Sequence, residues 1–203
     1  MARTRTVRRS VGPVAYDCVQ IIVIRSGSTT LFSEFGRCVV TVGDVVLLGA
    51  NTLCGGEPEE STTVTTLYLD RDYVVDQVFW QHAALLTDRL DAQDFTNELY
   101  SEPAQVLHLG EGRAGMLMPW LDELVALSIN GPSPERFYRT QTLLFTVLDL
   151  VAPSIRSTAA RRTSTQRKAA RPGPPFHRRF APLRAEVREA AELLRSAPEQ
   201  RWS

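Results

Sequence analysis

The stretch GDVVLLGANTLCGG, residues 43–56, decides how the rest of the chain is read. Gly43-Asp44 is a hairpin-type turn, and the apolar run at 45–50 follows it at once. The run ends in a loop of small residues with a polar tip, and Cys54 stands at that tip. A small β-barrel can carry a metal ligand at such a position. The stretch therefore raises a choice between a metal enzyme and a barrel that has kept its shape without the metal.

Short strands continue on both sides. Residues 19–25 (VQIIVIR) form a buried-strand run closed by the turn Ser26-Gly27-Ser28, and 29–35 alternate in part. Gly36 then turns the chain into 37–42 (RCVVTV). Downstream, the Gly/Pro/Glu-rich 55–60 read as a loop, and the β-branched 61–70 (STTVTTLYLD) as a strand. Residues 104–109 (AQVLHL) read as a late strand returning to the sheet. Short strands with turn signals every ~8–12 residues predict a sandwich or barrel.

Helical periodicity takes over elsewhere. Val75, Val78, Phe79 and Leu86 recur at helical spacing across 71–90, and Leu117, Leu121, Leu124 and Val125 do so across 114–129, where Pro119 is placed in the first turn. Residues 133–153 open with Ser133 at the N-cap, Pro134 at N1 and Glu135, and stop before Pro153. A helix packing on one barrel needs a single apolar stripe, and this one has close to two. Leu143, Val147 and Leu150 form one of them. Phe137, Leu144, Leu148 and Val151 form the other and are assigned to a homodimer interface.

The chain has 203 residues, 43% of them hydrophobic, enough for one sizeable core and a small appendage. Its formal charge of zero hides a division. Residues 1–13 carry Arg3, Arg5, Arg8 and Arg9 without an acid and read as a flexible basic arm. Residues 11–153 hold 19 acidic against 7 basic side chains, whereas 154–180 hold 8 basic and no acidic ones. That Arg-, Ser-, Thr- and Pro-rich segment reads as a flexible linker. Arg161, Arg162, Arg167 and Lys168 are its candidates for contact with DNA phosphates. Residues 181–203 form an amphipathic helix with Leu183, Val187, Ala190, Ala191 and Leu194. Three cysteines without a CxxC spacing, no N-terminal apolar segment and no membrane-length run predict a reduced cytoplasmic protein without membrane attachment.

In this order the segments resemble the N-terminal domain of AraC-type transcription regulators. The residues that carry the resemblance are RSGS (25–28), GDVVLLGANT (43–52), TTLYLDRDYVVDQVFWQH (65–82), EPAQVLHLGEG (102–112) and the two apolar helices. The resemblance spans about residues 14–152. It implies an α+β, mainly β fold: a cupin-like β-barrel (jelly roll) at 14–112, followed by an antiparallel helix pair for dimerisation at 113–153. It also implies a small-molecule effector in the barrel and an N-terminal arm that responds to it. RAEVREAAELLRSAPEQRWS (184–203) resembles the first helix of the family's helix-turn-helix domain, with Trp202 in its small core and Ser203 capping the next helix. On this reading the recognition helices are missing, and DNA is a partner only of an intact full-length form.

The chemistry expected of a metal-dependent cupin is hard to assemble. Such sites use clustered imidazoles, and the three histidines, His82, His108 and His177, form no His-x-His pair. Cys54 and His108 alone do not make a ligand shell, so no metal or cofactor is expected. GxSxG and P-loop motifs are absent from the sequence. Glu59-Glu60 read as a solvated loop, and Asp88, Asp91 and Asp94 as surface. The chain is read as a non-enzyme. A stand-alone cupin isomerase or oxygenase and a pure dimerisation module with a filled barrel are the alternatives. If the barrel binds an effector, the ligand-facing candidates are Arg25, Cys54, Tyr68, Trp80 and His108, with Arg25 suited to a carboxylate.

Overall fold

Period-two alternation of β-branched and apolar residues is realised as two antiparallel sheets. The computed structural model describes residues 1–33, 36–100, 102–129, 131 and 133–156. One sheet contains β1 (Ala2–Val7), β3 (Val19–Ser26), β6 (Asp44–Leu48), β8 (Thr62–Leu69) and β9 (Ala104–His108), in the order β1-β8-β3-β6-β9. The other contains β2 (Val11–Val14), β4 (Thr29–Ser33), β5 (Gly36–Val40) and β7 (Cys54–Pro58), in the order β2-β7-β4-β5.

Alternation sorts the central strands onto two cores. Ile22 and Ile24 of β3, with Val46 and Leu48 of β6, pack among Leu31, Val40, Val64 and Val106 of the inter-sheet cluster. Ile21, Val23 and Val45 turn the other way, toward helices. Both faces of the five-stranded sheet are thus covered, which is why β3 and β6 read as nearly continuous apolar runs. The fold is mainly β, a cupin-like two-sheet sandwich with helices on one outer face.

Those helices are α3 (Glu111–Ile129) and α4 (Pro134–Val151), whose remote anchors set their antiparallel course. Arg113 near the start of α3 donates to the Leu150 carbonyl at 3.0 Å, and Arg139 Nε meets Glu123 Oε1 at 2.6 Å. Leu117, Leu121, Leu143, Val147 and Val151 are buried against Val45, Leu67 and Leu107. Gly43 fixes where α3 begins. Its carbonyl accepts from the N–H groups of Leu109 and Gly110 at 2.9 and 3.1 Å. With φ of 99° and a Cβ position 3.0 Å from the Glu111 nitrogen, the turn has no room for a side chain.

Several expectations need correction. The N-terminal segment is no free arm over its first half. Residues 2–7 pair with 62–67, Ala2 is buried, and Thr4 and Thr65 share a hydroxyl contact of 2.8 Å. The Arg-Thr alternation is the strand period, masked by its charge. Residues 54–58 are strand rather than loop, because Gly55 admits the Phe32 ring over a backbone that a Cβ would block. The helix expected at 71–90 breaks into α1 (Arg71–Gln81) and α2 (Arg89–Leu99), the second capped by Asp88, which accepts from the N–H groups of Leu90 and Asp91. Pro119 sits inside α3, not in its first turn, since the helix already starts at Glu111. Ser133 occupies the N-cap of α4 but makes no capping bond with its side chain.

The interface assignment also changes. Leu144 and Val151 are buried in the chain's own core, and Leu148 packs partly against it, which leaves Phe137 alone of the four substantially exposed. Helix α4 packs against α3 and sinks Leu143, Leu144, Val147 and Val151 into the core that α3 shares with the sheet, so two stripes are consumed within one chain. Residues 157–203, with Arg161, Arg162, Arg167, Lys168 and the expected C-terminal helix, lie outside the described residues. Among the described residues no helix is long and apolar enough to cross a membrane.

Candidate functional site

Between the sheets lies a cavity of about 130 Å³. Strand register decides which side chains reach it. Leu31 stands opposite Cys38, and Ser33 opposite both Gly36 and Cys54, so these residues share the inner face of the four-stranded sheet. Val46 opposite Val106, and Leu48 opposite Ala104, supply the facing wall. Gly36 and Arg37 form part of the rim, but Arg37 pairs with Phe32 on the face turned away from Leu31 and Ser33. The walls are therefore apolar, with one hydroxyl and two thiols. Cys54 is half-buried, and burial pushes its thiol above the ordinary value, so it stays protonated near neutrality. Cys38 is exposed.

Of the five expected ligand-facing residues, Cys54 alone lines this cavity. Arg25 lies against α3, where Nη2 meets Asp122 Oδ1 at 2.6 Å and Nε meets Met118 Sδ at 3.2 Å. A guanidinium already committed to a carboxylate has little left to hold a ligand. Tyr68 stacks edge-on with Tyr16, ring centroids 5.9 Å apart. Trp80, on α1, is 71% exposed and contacts Phe79. His108 shares the face of Val106 two residues further along β9, but its ring points largely into solvent and its Nδ1 lies 2.6 Å from Asp44 Oδ1. Asp44 is nearly buried, and its other oxygen accepts from the Thr41 N–H at 2.9 Å. This pair staples the turn of residues 41–44 to the end of β9. Among the described residues, no three His, Cys, Asp or Glu side chains are grouped to hold a metal ion.

One neighbour of the cavity was not foreseen. Gln105 is 4% exposed between the wall residues Ala104 and Val106, and its carboxamide engages the main chain of Arg156 from both sides. Nε2 donates to the Arg156 carbonyl at 3.0 Å, and the Arg156 N–H donates to Oε1 at 2.8 Å. A glutamine inside an apolar strand run was the available signal. A buried amide in such a run needs partners, and a passing backbone can supply them. The wall residues Leu31, Val46, Leu48, Ala104 and Val106 were equally legible as inner-face positions once register was known.

No protein-family model matches this sequence, and no curated protein matches it. Among solved structures, ToxT from Vibrio cholerae aligns over 100% of this chain and 67% of its own, at 10% identity and a TM-score of 0.47. Unsaturated fatty acid-bound ToxT from strain SCE256 gives 16% identity, 65% of its length and a TM-score of 0.47. A cupin-2 domain protein from Shewanella frigidimarina aligns over 32% of this chain and 65% of its own, at 8% identity and a TM-score of 0.31. The chain thus spans about two thirds of the length of ToxT. Likeness at this level assigns no site or activity, and the cupin-like architecture is carried by the order and register of the two sheets.

Proposed function

We propose that this chain is the effector-sensing and dimerisation part of an AraC-type transcription regulator, acting by binding and not by catalysis. The observation that supports this most is architectural. A two-sheet sandwich holds a cavity that opens to solvent beside Cys38, and an antiparallel helix pair is fixed to its outer face by the turn that begins α3. Such a body joins a ligand chamber to an interaction surface. The surface offered is the outside of the helix pair, where Met116, Phe137, Tyr138 and Phe145 are 56%, 54%, 79% and 46% exposed. These residues replace the buried Leu144 and Val151 as the dimer contacts in this reading. In the regulator, occupancy of the chamber shifts the population of dimer arrangements, and DNA contact belongs to the intact protein.

Native mass spectrometry of the purified chain tests the reading. The expected result is a dimer that Phe137→Asp with Tyr138→Asp converts to monomer while the far-ultraviolet spectrum is kept. A monomer at micromolar concentration would overturn the dimerisation half. The small size of the cavity favours a second reading, a pure dimerisation module, for which no small molecule binds the chamber.

A further inference from the structure

The cavity's dimensions and lining specify the kind of molecule it takes. Its volume of about 130 Å³ lies below the ~300–1,000 Å³ of ordinary ligand pockets. It is close to the ~150 Å³ of an engineered apolar cavity that stays dry and binds benzene. A flat ring of six carbons with a small substituent fills such a space, whereas a sugar, a nucleotide or a long acyl chain does not.

Charge narrows the class further. The side chains that register turns inward are Leu31, Ser33, Cys38, Cys54, Val46, Leu48, Ala104 and Val106, and none of them carries a formal charge at neutral pH. The arginine at the rim belongs to the opposite face, and Arg25 is spent on Asp122. The Gln105 side chain takes the opposite face of β9 from Ala104 and Val106 and is bonded to the Arg156 main chain. A carboxylate entering here would lose its water without gaining a counter-charge, and an ammonium would fare no better. A neutral apolar molecule loses nothing of the kind and gains contacts with the thiol sulfurs, which are soft and polarisable.

We propose that the inter-sheet cavity binds a neutral, apolar ring compound of about the size of benzene, entering past Cys38 and Gly36, and discriminates against charged analogues of the same shape. The proposal rests on the sensing reading above and names its ligand class.

The test uses the full chain and three probes of one shape, toluene, benzyl alcohol and benzoate, followed by amide chemical shifts and melting temperature. Ala104→Leu is the control, because it fills the cavity from a wall strand. Toluene and benzyl alcohol are expected to saturate, to shift amides of β4, β6, β7 and β9, and to raise the melting temperature. Benzoate is expected to bind at least tenfold more weakly, and Ala104→Leu to abolish the effect of both neutral probes. Benzoate binding as tightly as toluene, with loss in Ala104→Leu, would overturn the ligand class and leave the sensing reading standing. No binding by any probe, with Ala104→Leu melting higher than the parent, would overturn both, since the chamber would then be only a packing defect. If Ala104→Leu fails to fold, Val106→Phe fills the same wall from the next inward position.

Discussion

Gln105→Ala removes the carboxamide that holds the Arg156 main chain, and its cost follows from the geometry. The two hydrogen bonds at 3.0 and 2.8 Å contribute about 1 kcal/mol each, net of water. The freed Arg156 groups can reach solvent because Arg156 is exposed, so the full penalty for buried unpaired groups is avoided. The expected loss is therefore about 2 kcal/mol, or a fall in melting temperature of about 4–8 °C for a domain of this size. The same bonds protect the Arg156 amide, whose hydrogen exchange should accelerate by up to ~30-fold. Gln105→Met keeps most of the volume and removes the same two bonds, so it should speed Arg156 exchange by a similar factor with a similar fall in melting temperature. Calorimetry and amide exchange by mass spectrometry or NMR read both quantities. If either variant melts lower while Arg156 exchange is unchanged, the clasp is not what Gln105 contributes, and the reasoning fails.

Four further outcomes are expected. Gly55→Ala places a Cβ 2.4 Å from the Phe32 ring and 2.7 Å from the Val11 carbonyl oxygen, so thermal melting should show a loss of about 1–3 kcal/mol, with faster exchange concentrated in β2 and β7. Leu121→Ala, at a fully buried site between α3 and the sheet, should cost about 2–5 kcal/mol in denaturant unfolding, and an effect below ~1 kcal/mol would contradict its place in the core. Cys38 should be alkylated well before Cys54 at neutral pH, read by peptide mass. Because burial raises the folded-state pKa of Cys54, the unfolded chain releases that proton first, and stability should decline as pH rises through and above the unfolded thiol range. Cys54→Ala should flatten that decline.

Much of the sandwich was legible because its central strands are punctuated by turns that admit little else. The run at 45–50 after Gly43-Asp44 became β6, and 19–25, 61–70 and 104–109 matched β3, β8 and β9 within one or two residues at each end. What escaped were segments whose strand character depends on a partner. ARTRTV looks like a solvated basic tail until β8 lies beside it, and CGGEP looks like a loop until Phe32 covers Gly55. The site was less legible than the fold. Arg25, Trp80 and His108 were singled out for their chemistry, but which face a side chain takes is a matter of register, and α3 and Asp44 claimed two of them. Cys54 was found because it sits where a strand meets a turn signal. Gln105 was passed over because one amide in an apolar run says nothing of what lies across from it.

The carbonyl of Gly43 has a mechanical consequence. It holds the first residues before α3, and α3 is 19 residues long, so the helix extends ~28 Å from that point. Gly43 also opens the stretch that leads into the cavity wall at Val46 and Leu48. The far end is held as well, because the Ser128 hydroxyl accepts from the Ala2 N–H at 2.8 Å, so α3 is pinned to the five-stranded sheet near both of its ends. The turn from which the fold was first read is thus one of two pins that set the course of α3 over the sheet.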